Sequence, residues 1–306
     1  MISGLVSFDL NASALTFIYA KRIIIASGGA GALYQTSTAA AICTGDGNAL
    51  ALKAGIPLQD MEFVQFHPTG LYGYGVLISE AARAEGGRLL NGQGQTFMAN
   101  YAPKLKDLAS RDIITRAIAQ EFAEGRGAGP EGQNLWLELS HLPAKLLQEK
   151  LQTVRATARD FLKLDVSQEL IPILPSCHYM MGGIPTDHLG QVSYYDQANN
   201  LVTYQQLLAY GEAASASVHG ANRLGCNSLL EIIVMPFKGL ENLTLETTQL
   251  KPAPLIERQI SQELANLSKL KGPYQTAILR TKLSQLMDLK AGPFREAKTL
   301  IEAAQA

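Results

Sequence analysis

Cysteine is scarce: Cys43, Cys177 and Cys226 are the only three in 306 residues. No two stand at CxxC spacing, which argues against a zinc or iron–sulfur site built by this chain alone. A small odd count also argues against a disulfide framework, so a reducing compartment is expected. An excess of either charge is missing too, since 26 Lys and Arg meet 27 Asp and Glu for a net charge of −1. That excludes a strongly basic nucleic-acid binder and an acidic disordered tail. No apolar run reaches the ~18 residues needed to span a bilayer. The best candidate, residues 12–30, is broken by Lys21 and Arg22. No basic stretch precedes an apolar one at the N-terminus, so no secretory signal is expected.

What is present suits a globular chain. Apolar residues make up 47% and charged residues 17%, enough for a sizeable core under a thin polar surface. At roughly 150 residues per domain, the length suggests two domains or one large one.

Residues 2–26 read as strands. Leu5 to Leu10 alternates, Thr16 to Ala20 alternates again, and Asn11-Ala12-Ser13 is the turn between them. Arg22-Ile23-Ile24-Ile25-Ala26 is a short β-branched run that ends in Gly28-Gly29-Ala30-Gly31. A buried strand running into such a turn lets backbone approach a ligand. Thr44-Gly45-Asp46-Gly47 opens a helix to Ala54, and residues 55–100 hold glycines and short strands. Helices are predicted over 111–124, on Ile114, Ile118 and Phe122, and from about 143 to 164, on the stripe Leu147, Leu151, Val154, Ala158, Phe161. Residues 171–235 read as α/β, with a strand at Leu207 to Tyr210 and a helix from Asn227-Ser228. The character changes beyond Pro236, and residues 251–306 read as helical. The fold class is mixed α/β, ending in helices.

Four clusters place polar residues where a core would not want them. In Gln65-Phe66-His67-Pro68-Thr69-Gly70, proline holds the preceding histidine extended. Ser79 and Glu80 follow the apolar Val76-Leu77-Ile78 and should lie at a strand end, where site residues concentrate. Ser110 is a candidate N-cap, which puts Arg111 in the first helical turn. A cation there opposes the helix dipole at a cost of up to ~1 kcal/mol, which invites a functional reading. The fourth cluster is Cys177-His178-Tyr179-Met180-Met181-Gly182-Gly183 with His219 to Arg223. Arg223 offers a planar fork that suits a carboxylate. Singly, each cluster has an ordinary structural explanation. Together, two His, two Arg and a Ser/Glu pair beside Gly-rich turns make an inventory for holding a small dicarboxylate at both ends.

These stretches resemble a known family. QFHPTG at 65–70, RAEGG at 83–87, HYMMGGIPT at 178–186 and HGANRLG at 219–225 are similar to the flavoprotein subunits of succinate dehydrogenase and fumarate reductase. L-aspartate oxidase belongs to the same family, but the HYMMGGIPT wording favours the first two. The resemblance runs from about residue 2 to about 300. It implies hydride transfer between succinate or fumarate and FAD. It assigns carboxylate binding to His67 and Ser79 (usually Thr), with Glu80 beside them, and binding of the other carboxylate to His178 and Arg223. It gives Arg111 the proton transfer at the substrate carbon. It gives FAD contacts to Asp46, Glu212, Ser228 and Leu229, and makes Gly28 and Gly29 the second Gly-rich turn beside the flavin. An arginine is an unusual base, since guanidinium keeps its proton to very high pH. A dry site and neighbouring charge, such as Glu80, would have to relay that proton.

The implied architecture is a partial Rossmann-like FAD-binding domain (1–50 and 164–240), an inserted capping domain (51–163) and an incomplete helical domain (241–306). The implied partners are an iron–sulfur protein subunit and, through it, a membrane anchor, with a peripheral place on the cytoplasmic side of the inner membrane, or a soluble cytoplasmic one if unpartnered. No metal ligands and no nucleic-acid contact are implied. The sequence also departs from the pattern. The strand, GxGxxG and helix with which the family begins have no counterpart near Met1, and the family continues beyond the last residues here. An internal portion of a longer flavoprotein is therefore expected. Cys226 replaces a glycine between Gly225 and Asn227; if that position needs φ > 0, the cysteine costs roughly 1–2 kcal/mol. An aspartate-oxidase-type enzyme and an inert remnant remain the alternative readings.

Overall fold

Alternating side chains at the start of the chain do form a hairpin. Strand β1 (Gly4–Asp9) pairs antiparallel with β2 (Ala14–Tyr19), Asp9 facing Ala14. The Asp9 carboxylate fastens the turn by accepting the N–H groups of Asn11 and Ala12 at 2.8 and 3.0 Å, as turn-forming aspartates do. The structure, a computed structural model, describes residues 4–9, 11–241, 254–267, 269, 272 and 275–305. Residues 2, 3 and 10 of the expected strands, and 251–253 of the expected helical segment, lie outside the described residues.

The remaining elements follow in order: β3 (Ile23–Ile25), α1 (Asp46–Lys53), β4 (Val64–Leu71), α2 (Ala81–Ala84), β5 (Arg88–Leu90), α3 (Met98–Tyr101) and α4 (Arg111–Ala123). Next come β6 (Leu135–Glu138), α5 (Ala144–Glu149), α6 (Gln152–Leu162), β7 (Ile171–Met180), β8 (Ile184–Pro185), β9 (Gln191–Tyr195), β10 (Leu201–Ala209) and β11 (Ala214–Ser215). Among the described residues, α7 (Asn227–Glu241), α8 (Pro254–Leu267), α9 (Thr276–Lys290) and α10 (Ala297–Gln305) follow. Among the described residues no helix is long and apolar enough to cross a membrane. The described chain divides into two compact units.

The first unit draws on Met1–Ala30, Gly45–Phe63 and Met180–Leu279. Its three isoleucines at 23–25 are stiff β-branched residues suited to a strand. They pair parallel to β10, Ile24 against Leu208, and β9 closes the other side antiparallel. Val192 and Leu207 of this sheet are buried together with Ile56 and Ile184, and Ile23 and Ile25 pack against them. Pro236 does not end the helix that precedes it: α7 continues to Glu241. Proline removes one N–H bond from a helix interior, and the helix absorbs that loss.

Along α7, Leu229, Leu230, Ile233, Val234 and Phe237 are all more than half exposed. A contiguous apolar face of this kind binds hydrophobic dyes. The chain should enhance 1-anilinonaphthalene-8-sulfonate fluorescence, and Ile233→Glu with Phe237→Glu should remove most of that enhancement. An unchanged signal would place the dye elsewhere.

The second unit draws on Gly31–Thr44, Val64–Tyr179 and Arg280–Ala306. Its four-stranded sheet has the order β4-β7-β6-β5. Helix α4 forms as the periodicity predicts and buries Ile114, Ala117 and Ile118 against Leu71, Leu89, Leu135 and Leu137. The single helix predicted over 143–164 is instead two, α5 and α6, parted at Lys150 and Leu151. Leu151 leaves helical geometry (φ −115°, ψ 29°) and is buried in the core. The stretch 76–78 is likewise not a strand; only Leu77 bridges, to Gly70. Glu80 therefore stands at the N-cap of α2 rather than at a strand end.

Candidate active site

The strand β4 is buried along nearly its whole length and carries Gln65, His67 and Thr69 at alternate positions, hence on one face. The Thr69 N–H donates to His67 Nδ1 at 3.3 Å. A backbone N–H can only donate, so Nδ1 is the acceptor in this contact and Nε2 is the ring atom that can donate to an anion. Thr69 Oγ1 donates to the Ile78 carbonyl at 2.8 Å and fixes the segment that leads to Ser79. His178, on β7, lies with its ring centroid 5.3 Å from that of His67, edge to face. Its Nδ1 is 2.7 Å from Thr38 Oγ1. Two imidazoles expected from separate motifs are thus neighbours, each oriented by a threonine.

Arg111 opens α4, where its charge opposes the dipole. The structure offsets that misfit. Arg111 Nε and Nη2 donate to the two oxygens of Glu80, both at 3.0 Å, and Nη1 donates to Gln65 Oε1 at 3.0 Å. The Arg111 side chain is 11% exposed and the Glu80 side chain 43%. Ser110 holds the N-cap position but makes no side-chain cap; its hydroxyl donates to Asp112 instead. Ser79 is exposed, and its Oγ accepts the Ala81 N–H at 3.3 Å.

A further cation, Arg83, joins this group. It is buried, and its Nη2 donates to Glu80 Oε1 at 3.2 Å. Glu80 thus lies between two guanidiniums. The Arg111 hydrogen bonds hold its carboxyl below the usual range against the opposing effect of burial, and Arg83 adds to the lowering. Burial pulls Arg83 downward, against the attraction of Glu80. Sequence reasoning missed Arg83 as a site residue. Its position three residues after Glu80 on α2 was the available signal.

The first unit holds the other expected residues. Gly28 stands at φ 74°, and a side chain at Gly29 would come within 2.4 Å of Glu212 Oε1. Gly28 is thus in a conformation that favours glycine, and a side chain at Gly29 would require Glu212 to move. Glu212 accepts the Met180 N–H at 2.9 Å, while burial pushes its carboxyl up. Asp46 is exposed at the start of α1, just after Gly45 (φ 79°), and Leu229 is exposed on α7. Arg223 is buried and donates to Ser228 Oγ at 3.1 Å.

One residue here was not expected. Asn48 is 4% exposed, yet among the described residues neither its Oδ1 nor its Nδ2 has a hydrogen-bond partner. An unsatisfied buried amide costs ~1–3 kcal/mol, so this orphan fits a site that receives a polar group beside α1. The letters GxGxxG occur once, at Gly127, Gly129 and Gly132, in the turn between α4 and β6. That is not the strand-to-helix context of a dinucleotide cradle.

Cys226 adopts φ 65°, so the expected strain is present. Cys226→Gly relieves it, less the entropy that glycine adds to the unfolded chain. Denaturant unfolding should show a gain of about 1 kcal/mol; a loss would mean that the thiol makes a compensating contact.

Comparison with known proteins identifies the family. The chain matches the FAD binding domain family over residues 1–229, and it belongs to that family. It is 45% identical over 304 residues to the mitochondrial succinate dehydrogenase [ubiquinone] flavoprotein subunit of Oryza sativa subsp. japonica, spanning 98% of this chain and 48% of the relative. It is 37% identical over 324 residues to the fumarate reductase flavoprotein subunit of Mycobacterium tuberculosis, spanning 99% of this chain and 54% of that one. A mutant form of the E. coli quinol fumarate reductase chain FrdA superposes with a TM-score of 0.85 at 32% identity, over 99% of this chain and 53% of that chain. The chain spans about half the length of the curated relatives it matches.

Proposed function

We propose that this chain carries the flavin- and substrate-handling residues of a succinate dehydrogenase or fumarate reductase flavoprotein subunit. Its reaction is hydride transfer between FAD and a four-carbon dicarboxylate. One observation carries the reading: Arg111, held at three points by Glu80 and Gln65, shares the second unit with the paired imidazoles of His67 and His178.

FAD, when bound, supplies the centre that accepts or releases the hydride. Gly28, Gly29, Asp46, Glu212, Ser228 and Leu229 are assigned to holding it, and the orphaned amide of Asn48 joins them. The start of α7, as the positive end of its dipole, suits an anionic group. His67, Ser79, His178 and Arg223 are assigned to carboxylate binding. Charge-assisted hydrogen bonds of this kind orient a dicarboxylate and fix which carbon faces the reacting group.

Arg111 holds the proton that moves to or from the neighbouring carbon. Glu80 touches both Arg111 and Arg83 and is partly exposed, so it can pass the proton towards solvent. Arg83 makes that passage easier, because its burial weakens its hold on a proton. Electrons leave to an iron–sulfur protein subunit and, through it, to a membrane anchor on the cytoplasmic side of the inner membrane. Residues 51–163 are assigned the capping role, 1–50 and 164–240 the FAD-binding role, and 241–306 the helical role.

Fumarate should shift the absorption spectrum of the oxidised, flavin-loaded protein. His67→Asn should raise the Kd read from that shift by about 10- to 100-fold, the worth of a hydrogen bond to a charged group. No shift at millimolar fumarate would remove the dicarboxylate reading.

A further inference from the structure

The loop between β11 and α7 delivers Arg223, and it is built on unfavourable backbone. Ser217 (φ 54°) and Cys226 (φ 65°) are both left-handed without being glycine. Such residues persist only where the surroundings over-determine them. The start of the loop is pinned. Ser217 Oγ donates to Asp60 Oδ2 at 3.0 Å and accepts from Gln59 Nε2 at 3.2 Å. The far end is pinned by Arg223 to Ser228. Between these points His219 Nε2 lies 2.8 Å from Glu231 Oε2, with side chains 7% and 4% exposed.

Ser228 and Glu231 are three apart on α7 and therefore share one face. That face receives the loop twice, once at Arg223 and once at His219. The apolar side chains of α7 point elsewhere: Leu229, Leu230, Ile233 and Phe237 are exposed while Glu231 is buried. Taking an imidazole and a carboxylate out of water is costly, and an apolar pair of the same volume is often as stable. What the polar pair adds is direction, because a hydrogen bond fixes distance and angle.

We propose that Glu231 is a positioning residue: through His219 it sets the loop so that the Arg223 guanidinium is preformed to receive a carboxylate. This rests on the assignment of Arg223 to carboxylate binding. Preforming a charged donor removes an ordering cost that would otherwise fall on ligand binding.

A double-mutant cycle in the flavin-loaded protein, read as fumarate Kd from the flavin spectrum, tests it. Glu231→Gln should weaken fumarate about tenfold and leave flavin retention unchanged, and Arg223→Gln should weaken it further. In the Arg223→Gln background, Glu231→Gln should add nothing, since the two act as one unit. His219→Gln reads the same contact from its other end and should reproduce Glu231→Gln. If Arg223→Gln weakens fumarate and Glu231→Gln stays within twofold of the parent, the positioning role is wrong and the Arg223 assignment stands. If the two effects multiply, or if both Glu231→Gln and His219→Gln lose flavin or fail to fold, the pair is merely structural. If Arg223→Gln itself has no effect, the Arg223 assignment fails first.

Discussion

Replacing Arg111 by lysine should leave the flavin bound and lower succinate-dependent turnover by on the order of 10³-fold or more, the usual worth of a positioned acid or base. Lysine keeps the charge and loses the fork. It can reach one acceptor well, where Arg111 meets both Glu80 oxygens and Gln65 at 3.0 Å each. The guanidinium is thereby aimed, and a flexible ammonium is not. Flavin content should stay the same, since Glu80 and Gln65 lie in the second unit and the assigned FAD contacts lie in the first. Turnover within threefold of the parent would remove Arg111 from the chemistry and leave it as a helix-start ion pair.

A second large effect is expected away from the site. Glu121 on α4 is 1% exposed. Its carboxylate accepts from Arg126 through Nε and Nη2, both at 2.7 Å, from Tyr101 at 2.7 Å and from Asn91 at 3.0 Å. The Arg126 bonds, helped by those of Asn91 and Tyr101, outweigh burial and push its pKa down to about 2. Burial and the bond to Glu121 push Tyr101 up to about 12.

Removing one partner of such a buried pair costs ~3–5 kcal/mol. Glu121→Ala should therefore lower Tm by roughly 10 °C. A carboxyl whose folded pKa lies below its unfolded value stabilises above the unfolded value and loses that contribution as pH falls through the folded one. The window here runs from about 4.5 down to about 2, and the contribution lost across it is about 3 kcal/mol. Acid titration of stability should show this loss in the parent chain and not in Glu121→Gln. Identical acid curves for the two would show that Glu121 is not the stabilising group.

The elements legible in the sequence carry their signals locally. The β1–β2 hairpin shows in its alternation, β3 in three adjacent isoleucines, and α4 in a clean apolar stripe. The break between α5 and α6 leaves no such mark, because the stripe through Leu151 suits one helix or two, and burial of Leu151 against the second unit's core decides between them. The end of α7 is not marked at Pro236, where a strong local breaker sits inside a helix that continues.

Within the site, Glu80, Arg111 and Arg223 could be singled out because each stands beside a turn or a helix start, and His67 because a proline follows it. Arg83 carries only its spacing from Glu80 as a signal, and nothing local marks it as buried, since a buried arginine and a surface one look alike in a sequence. The contact between Thr38 and His178 spans 140 residues and leaves no local pattern. The positive φ expected at Cys226 is present, because the substituted glycine marked a backbone requirement that the cysteine inherits.

The central claim is that this chain's residues handle a dicarboxylate at a flavin. Its most direct test is the absorption spectrum of the flavin-loaded protein under anaerobic conditions, before and after succinate, with L-aspartate in a parallel sample. Succinate should bleach the flavin, fumarate should restore the oxidised spectrum, and aspartate should do neither. Bleaching by aspartate alone, or by neither compound in a folded protein that retains its flavin, would contradict that claim.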